Sequence, residues 1–186
     1  MVERTDVNDT RTRILDAAQA VLTRGGLAAF TLEAVAREAA ISKGGLLYHF
    51  ASKEALTSGM VVRYVELFEA SLRQALEAEP TGPGRQARAI VKTTLADSAL
   101  HSGYKRALFH VAAGSPEVLD PFRAYAGSWL EALADDGLPS GVAAAVCFAA
   151  DGIWFSRILG LLELSDDQRR EIEARLLELT RPGGLS

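Results

Sequence analysis

The chain has 186 residues, of which 48% are hydrophobic and 24% charged, a composition typical of soluble globular proteins with a buried core. Its single cysteine, Cys147, excludes an internal disulfide framework and a cluster of thiolate zinc ligands. The net charge of −4 argues against a protein that coats nucleic acid, but the charge is uneven. Residues 1–63 contain eight Lys/Arg and seven Asp/Glu, whereas the remainder contains twelve and seventeen, so any contact with DNA is expected at one end.

The chain shows neither a leader nor an obvious membrane span. Residues 1–6 are polar and mixed in charge, unlike a secretory signal. The longest uncharged run, from Gly137 to Ala150, contains Pro139 and is too short to cross a bilayer. We therefore expect a cytoplasmic protein without a membrane partner.

The first predicted helix runs from about Asp9 to Arg24 and is expected to end at Gly25-Gly26, because glycine tolerates the left-handed conformation that follows a helix. Its apolar face consists of Ile14, Leu15, Ala18, Val21 and Leu22.

Three hydroxyl residues then predict the starts of three further helices. Thr31, Ser42 and Ser52 each precede a helical pattern and are good N-caps. Two short helices joined by a tight turn are typical of the helix-turn-helix, whose second helix enters the DNA major groove. That second helix is expected to begin with Lys43-Gly44-Gly45, to direct Leu46, Leu47 and Phe50 inward, and to direct Tyr48 and His49 outward.

The stretch FTLEAVAREAAISKGGLLYHFASKEAL, residues 30–56, resembles the DNA-binding domain of TetR-family transcriptional repressors. It matches the family pattern T-L-x-x-V/I-A-x-x-A, an aliphatic turn residue, S-K-G-x-L-Y-x-H-F, and then S/K-K-E-x-L. Leu47 departs from that pattern, since many members have a tyrosine there, whose hydroxyl would contact a phosphate. The resemblance implies a DNA-binding set of Thr31, Ser42, Lys43, Gly44, Gly45, Tyr48, His49 and Lys53.

The rest of the chain also has the periodicity of helices, and no segment alternates as a strand does. A long amphipathic helix follows Ser52 to about Glu79, and Pro80-Thr81-Gly82-Pro83-Gly84 forms the clearest loop. Further helices are predicted over 85–101, 104–113, 116–134, 140–162 and 166–180. The expected fold is all-α with about nine helices: a helix-turn-helix domain over 1–55 and a helical ligand-binding and dimerisation domain over 56–186.

The last two predicted helices bear on assembly. An apolar helix with few charges lies either at the centre of a monomer or between subunits. The resemblance implies a homodimer in which the two C-terminal helices of each chain form a four-helix interface. Such a dimer presents two reading helices to a pseudo-palindromic DNA operator.

A regulator of this family also needs a site for a small-molecule effector, apolar or cationic, and such sites are mostly apolar. Asp151 stands out because it interrupts an apolar run, where a carboxylate needs a partner. It either forms a helix–helix hydrogen bond or an ion pair, for example with Arg157 or Arg123, or provides a counter-charge for a cationic ligand. Asp151-Gly152-Ile153-Trp154 resembles the D-G-L-W of a subgroup that includes choline- and drug-responsive repressors. The predicted ligand-binding set is Met60, Tyr64, Phe68, Phe109, Phe122, Tyr125, Trp129, Asp151, Trp154 and Phe155.

Enzyme chemistry has little support, because the chain lacks H-E-x-x-H, G-x-S-x-G and a phosphate-binding glycine loop. His101 and His110 with Asp97 are a weak candidate for a metal site, and we expect no catalytic residue, metal or cofactor. The sequence predicts a repressor that a small molecule releases from its operator. Two alternatives stay open: a regulator with the same domain that answers to a protein partner, and a helical enzyme or binding protein.

Overall fold

A computed structural model describes residues 3–96, 116–139 and 141–181, and the regular structure within these ranges is entirely helical. The all-α prediction is confirmed. In chain order the elements are α1 (Glu3–Ala29), α2 (Leu32–Glu38), α3 (Lys43–His49), α4 (Lys53–Ala78), α5 (Arg85–Leu95), a 3-10 helix (Pro116–Leu119), α6 (Asp120–Ala134), α7 (Val142–Leu159) and α8 (Asp166–Leu179).

The ends of several elements differ from the predicted ones, and α5, predicted to reach residue 101, ends at Leu95. Helix α1 begins at Glu3 rather than near residue 9 and extends to Ala29, with a break at Gly26, whose φ of 60° and ψ of −161° are not helical. Pro116 opens a 3-10 turn and not the first turn of an α-helix, which begins at Asp120. The predicted helix over 104–113 lies outside the described residues.

Helix α7 is shorter than predicted and bears on the membrane question. It begins at Val142 and stops at Leu159 because Gly160, with a φ of 67°, takes the left-handed conformation after it. Its length and composition satisfy the requirements for a membrane span, contrary to the sequence-based expectation. This is weak evidence, since core helices of soluble proteins satisfy the same requirements, and α7 packs against α5 and α8.

Two compact units make up the described chain, and the boundary between them falls within α4. The first comprises residues 3–64 and 116–122, with a core that includes Ile14, Leu22, Phe30, Leu46, Leu56 and Met60. The second comprises residues 65–96, 123–139 and 141–181, with a core that includes Ala87, Ile90, Val91, Leu133, Cys147 and Ala150. The predicted domain boundary at residues 55 and 56 stays a prediction.

A buried carboxylate from another part of the chain caps helix α5. Gly84 precedes α5 and has no side chain to cap it. The carboxylate of Asp136 instead accepts hydrogen bonds from the backbone N–H groups of Gln86 (2.7 Å) and Ala87 (2.9 Å). Negative charge at a helix N-terminus is stabilising, so this contact ties the end of α6 to the start of α5.

The C-terminal end of α4 is joined to α5 by a buried ion cluster. The Glu79 carboxylate accepts from Arg88 Nε at 2.9 Å and also bonds the Lys92 ammonium. Burial raises the pKa of Glu79, but the hydrogen bonds from Lys92 and Arg88 outweigh it and leave that pKa below its usual value. Arg88 also donates to the carbonyls of Pro83 (2.9 Å) and Thr180 (3.0 Å), so the buried guanidinium is well satisfied.

Candidate DNA interface and effector site

The three predicted caps are present. Thr31 Oγ1 accepts from the N–H of Ala34 at 3.1 Å, and Ser42 Oγ accepts from the N–H of Gly45 at 3.0 Å. Ser52 Oγ caps α4 in the same way. A hydroxyl that accepts in a cap can still donate its proton, so the caps at residues 31 and 42 keep a donor for an outside group.

The turn between α2 and α3 contains a feature that the sequence did not signal. Ala40 has a φ of 54°, in the left-handed region that usually requires glycine. The N–H groups of Ala40 and Ile41 bond back to the carbonyls of Arg37 (3.2 Å) and Ala36 (3.0 Å), which is the Schellman pattern of a helix end. These bonds hold the tight turn that sets α3 against α2.

Helix α3 has one buried and one exposed face. Leu46 and Phe50 are buried in the core of the first unit, while Tyr48 is 81% and Leu47 is 37% exposed. The prediction that Leu47 faces inward is therefore wrong. A helix turns by about 100° per residue, so the face of Leu46 continues at Phe50 and not at Leu47, while His49, which was predicted to point outward, is half-buried.

The charged groups around α3 have partners within the first unit. Lys43 pairs with Glu33 of α2, and both groups are exposed. The hydrogen bond from Lys43 holds the pKa of Glu33 below its usual value. Lys53 Nζ lies 5.1 Å from the centroid of the Phe30 ring, a distance typical of a cation–π contact. The ring of Tyr48 meets His49 edge-on at 5.3 Å.

The structure brings the eight predicted DNA-binding residues onto one small region: the cap of α2, the whole of α3, and the first turn of α4. An ideal Cβ at Gly44 would have Ser42 Oγ at 3.9 Å as its nearest neighbour, so this part of α3 is open to an approaching surface. Short capped helices with an open, polar and aromatic outer face suit insertion into a groove of DNA.

The predicted ligand-binding residues divide between the two units. Met60, Tyr64 and Phe122 belong to the first unit, where Met60 is fully buried in the core and Phe122 packs against it. Phe109 lies outside the described residues, as do the metal candidates Asp97, His101 and His110. The second unit contains the others: Phe68, Tyr125, Trp129, Asp151, Trp154 and Phe155.

The second unit contains two edge-on aromatic pairs that include predicted ligand-binding residues. Phe68 meets Tyr125 edge-on at 5.7 Å, and Trp129 meets Phe148, a residue outside the predicted set, at 5.6 Å. Burial raises the pKa of Tyr125, and the negative charges of Glu69 and Asp151 raise it further. Tyr125 is therefore the predicted ligand-binding residue on which the charge of Asp151 acts.

Asp151 is a half-buried carboxylate for which the described part of the chain provides no counter-charge. Within the described residues it forms no ion pair or hydrogen bond, so the pairing with Arg157 or Arg123 is not found. Burial raises its pKa from 3.8 to about 6. Its charge also adds to the effect of burial on Cys147, whose pKa rises to about 12. Both Tyr125 and Cys147 are therefore neutral near pH 7, so neither adds a second negative charge beside Asp151.

A separate cavity of about 500 Å³ opens at the end of α4 and includes none of the predicted ligand-binding residues. Its lining includes Glu79, Pro80, Arg88, Lys92, Leu177 and Arg181. The buried ion cluster described above occupies its wall, so its polar groups largely satisfy one another.

Two short capped helices in the first unit and a helical second unit that contains the half-buried Asp151 carboxylate are the features of a helix-turn-helix regulator. Residues 14–59 match the family described as "Bacterial regulatory proteins, tetR family". Residues 84–181, more than half of the chain, match "Tetracyclin repressor-like, C-terminal domain". The chain belongs to the TetR family of transcriptional regulators, as its sequence signature indicates.

Individual relatives agree with this assignment over different lengths. HTH-type transcriptional regulator UidR of Escherichia coli K12 is 36% identical over 74 residues, a match that spans 40% of this chain and 38% of UidR. The structure of multidrug binding protein EbrR with malachite green is 26% identical, with a TM-score of 0.65 over 92% of this chain and 98% of EbrR. EbrR with ethidium is 27% identical, with a TM-score of 0.63 over 90% and 97%.

Proposed function

We propose that this protein is a ligand-responsive repressor: a homodimer that binds a pseudo-palindromic operator and leaves it when a small organic cation binds the second unit. It acts in the cytoplasm and catalyses no reaction. The observation that carries the DNA-binding part is the capped α2–α3 pair with its open outer face. The observation that carries the ligand part is the half-buried carboxylate of Asp151, which acts electrostatically on Tyr125 and has no counter-charge among the described residues.

The DNA contacts divide by chemistry. The side chains of Thr31, Lys43, Tyr48, His49 and Lys53 would hold phosphates, which fix the position of α3 without reading sequence. Lys43 exchanges Glu33 for a phosphate at little cost, because that ion pair is exposed. The residues that lack a Cβ, Gly44 and Gly45, let the backbone approach the bases.

The proposed dimer is supported by exposed apolar groups on α7 and just beyond it. Phe148 is 55% and Leu161 is 74% exposed, and Leu159 and Leu162 are also exposed. Apolar side chains that cluster on a surface mark a site of association. A second copy of the chain that covers them by two-fold symmetry provides the two reading helices, about 34 Å apart, that an operator needs.

The proposed effector is an aromatic cation. A half-buried carboxylate favours a positive ligand that replaces its lost hydration, and aromatic faces attract the same charge. Malachite green and ethidium, with which EbrR was crystallised, are both aromatic cations. Binding of such a ligand changes the affinity for DNA only if the cation prefers the conformation that does not fit the operator.

Two measurements test this function. Selection from random duplex DNA at several salt concentrations should yield a pseudo-palindrome bound far more tightly than bulk DNA. Uniform weak binding that vanishes with salt would refute the repressor function.

Ethidium should then raise the melting temperature of the wild type and release the selected duplex. Asp151→Asn should abolish both effects of ethidium, whereas Asp135→Asn, at an exposed carboxylate, should preserve them. Operator binding without any response to ethidium or malachite green would instead favour control by a protein partner.

A further inference from the structure

Leu47 is an apolar side chain on the part of the molecule that meets DNA. It is 37% exposed and lies on the same side of α3 as Tyr48. An exposed leucine on an ordinary surface needs no explanation. On a helix whose outer face enters the major groove, however, an exposed leucine has two possible environments. It either contacts an apolar group on a base edge or lies against polar atoms of the DNA.

The position of Leu47 on α3 directs it at the groove. It follows Lys43 by four residues and Gly44 by three, the spacing at which helical side chains are neighbours. Because Gly44 has no side chain and open space beside it, nothing on that flank separates Leu47 from an approaching base pair. The opposite face of the helix is anchored in the core by Leu46 and Phe50.

The remaining groups on α3 have limited capacity to read bases by hydrogen bonding. The helix, KGGLLYH, contains no Arg, Asn, Gln, Asp or Glu, so Lys43 is its best candidate for a hydrogen bond to a base edge. The Lys43 ammonium is bonded to Glu33, and the Ser42 hydroxyl, which accepts from Gly45, has one donor left. The 5-methyl group of thymine is the apolar feature of the major groove, and it is complementary to a leucine.

We infer that Leu47 is a specificity-determining residue that packs against the 5-methyl group of one thymine in each half of the operator. This inference rests on the proposed DNA-binding function and adds the chemical feature that α3 recognises. Burial of one methyl group is expected to change affinity about fourfold. The symmetric pair of contacts in a dimer is then expected to contribute about 15-fold.

The test replaces thymine by deoxyuridine, which removes only the methyl group. Synthetic duplexes of the sequence selected by the wild-type protein carry this change at one symmetric pair of positions at a time. Fluorescence anisotropy at constant salt measures Kd for the wild type, Leu47→Ala, Leu47→Met and Leu67→Ala. Leu67 is an exposed leucine of α4 in the second unit and serves as the matched control. Thermal melting verifies that each variant is folded.

One symmetric pair of thymines should be sensitive, with binding by the wild type about 15-fold weaker on deoxyuridine. Leu47→Ala should bind the thymine duplex more weakly and lose this sensitivity, whereas Leu47→Met and Leu67→Ala should keep it. The inference is overturned if no thymine pair is sensitive, or if Leu47→Ala retains the full sensitivity of the wild type. Absence of any selected sequence would instead refute the proposed function itself.

Discussion

The substitution Asp151→Asn should make the protein more stable and less responsive to its effector. The carboxylate has an ordinary pKa of 3.8 that burial raises to about 6, because the folded protein disfavours the charged form. Asparagine has nearly the same shape and carries no charge. The variant therefore lacks the half-buried negative charge that lowers the stability of the wild type at neutral pH.

The size of this effect follows from the raised pKa. At about 1.4 kcal/mol per pKa unit, the change to about 6 corresponds to roughly 3 kcal/mol in the free energy of unfolding above pH 7. Between about pH 4 and pH 6 the folded state binds the proton and the unfolded state does not, so stability rises as the pH falls. Near pH 5 the difference between variant and wild type should be about half as large.

Urea denaturation at pH 5 and pH 8, at one protein concentration, measures the free energy of unfolding of both proteins. Asp151→Asn should be more stable by up to about 3 kcal/mol at pH 8, with a smaller gain at pH 5. Asp135→Asn should show no such pH-dependent gain. An Asp151→Asn protein that is less stable than the wild type at pH 8 would mean that the carboxylate has a stabilising partner, and the reasoning would fail. Loss of ethidium binding in the stabilised variant would identify Asp151 as a group retained for function at the expense of stability.

Three further predictions concern other parts of the chain. Glu79→Gln should lower the free energy of unfolding by about 3 kcal/mol, because it leaves two cations without their buried partner. The control Glu77→Gln, at an exposed carboxylate, should have little effect. Since the pKa of Glu79 is lowered in the folded protein, the stability that this carboxylate contributes should also be lost as the pH falls below about 4.5. Gly84→Ala should markedly lower the melting temperature of the protein, because a φ of 77° is unfavourable for alanine and the new Cβ would lie 1.9 Å from the backbone carbonyl oxygen of Thr180. Gly127→Ala lies within a helix and has open space around the new Cβ, so it should raise the free energy of unfolding by about 0.5–1 kcal/mol. Lys43→Ala should weaken binding to every duplex and reduce the salt dependence of binding, as loss of a phosphate contact does; an unchanged salt slope would argue against that contact.

Local features of the chain were predictable because their causes are local. The caps at Thr31, Ser42 and Ser52 each involve a hydroxyl and an N–H three residues later, so a short stretch of sequence contains both partners. The last helix was predicted over 166–180 and ends at Leu179, because a capping box at Ser165 and a clear apolar periodicity define it. The TetR-like signature added the DNA-binding assignment, which the family comparisons confirm.

One wrong prediction, for Leu47, and one unpredicted feature, at Ala40, arose where the local signal was weak. Helix α3 has only seven residues, two of them glycine, so its periodicity did not decide which of Leu46 and Leu47 faces the core. The left-handed residue of the turn is Ala40, whereas sequence rules look for glycine there. Packing of Leu46 in the core of the first unit decided the orientation of α3. The hydrogen bonds of the Ala40 and Ile41 N–H groups hold the left-handed conformation of the turn.

The sequence by itself determined the helical fold, most helix boundaries and the family, because these depend on periodicity, caps and a motif within about 30 residues. Only the tertiary structure decided the environment of Asp151, the cap that Asp136 provides to α5 and the burial of Glu79 between two cations. Each of these depends on groups far apart in the chain or on the loss of water around a charge. Burial and long-range pairing are properties of the packed molecule, and no local pattern specifies them.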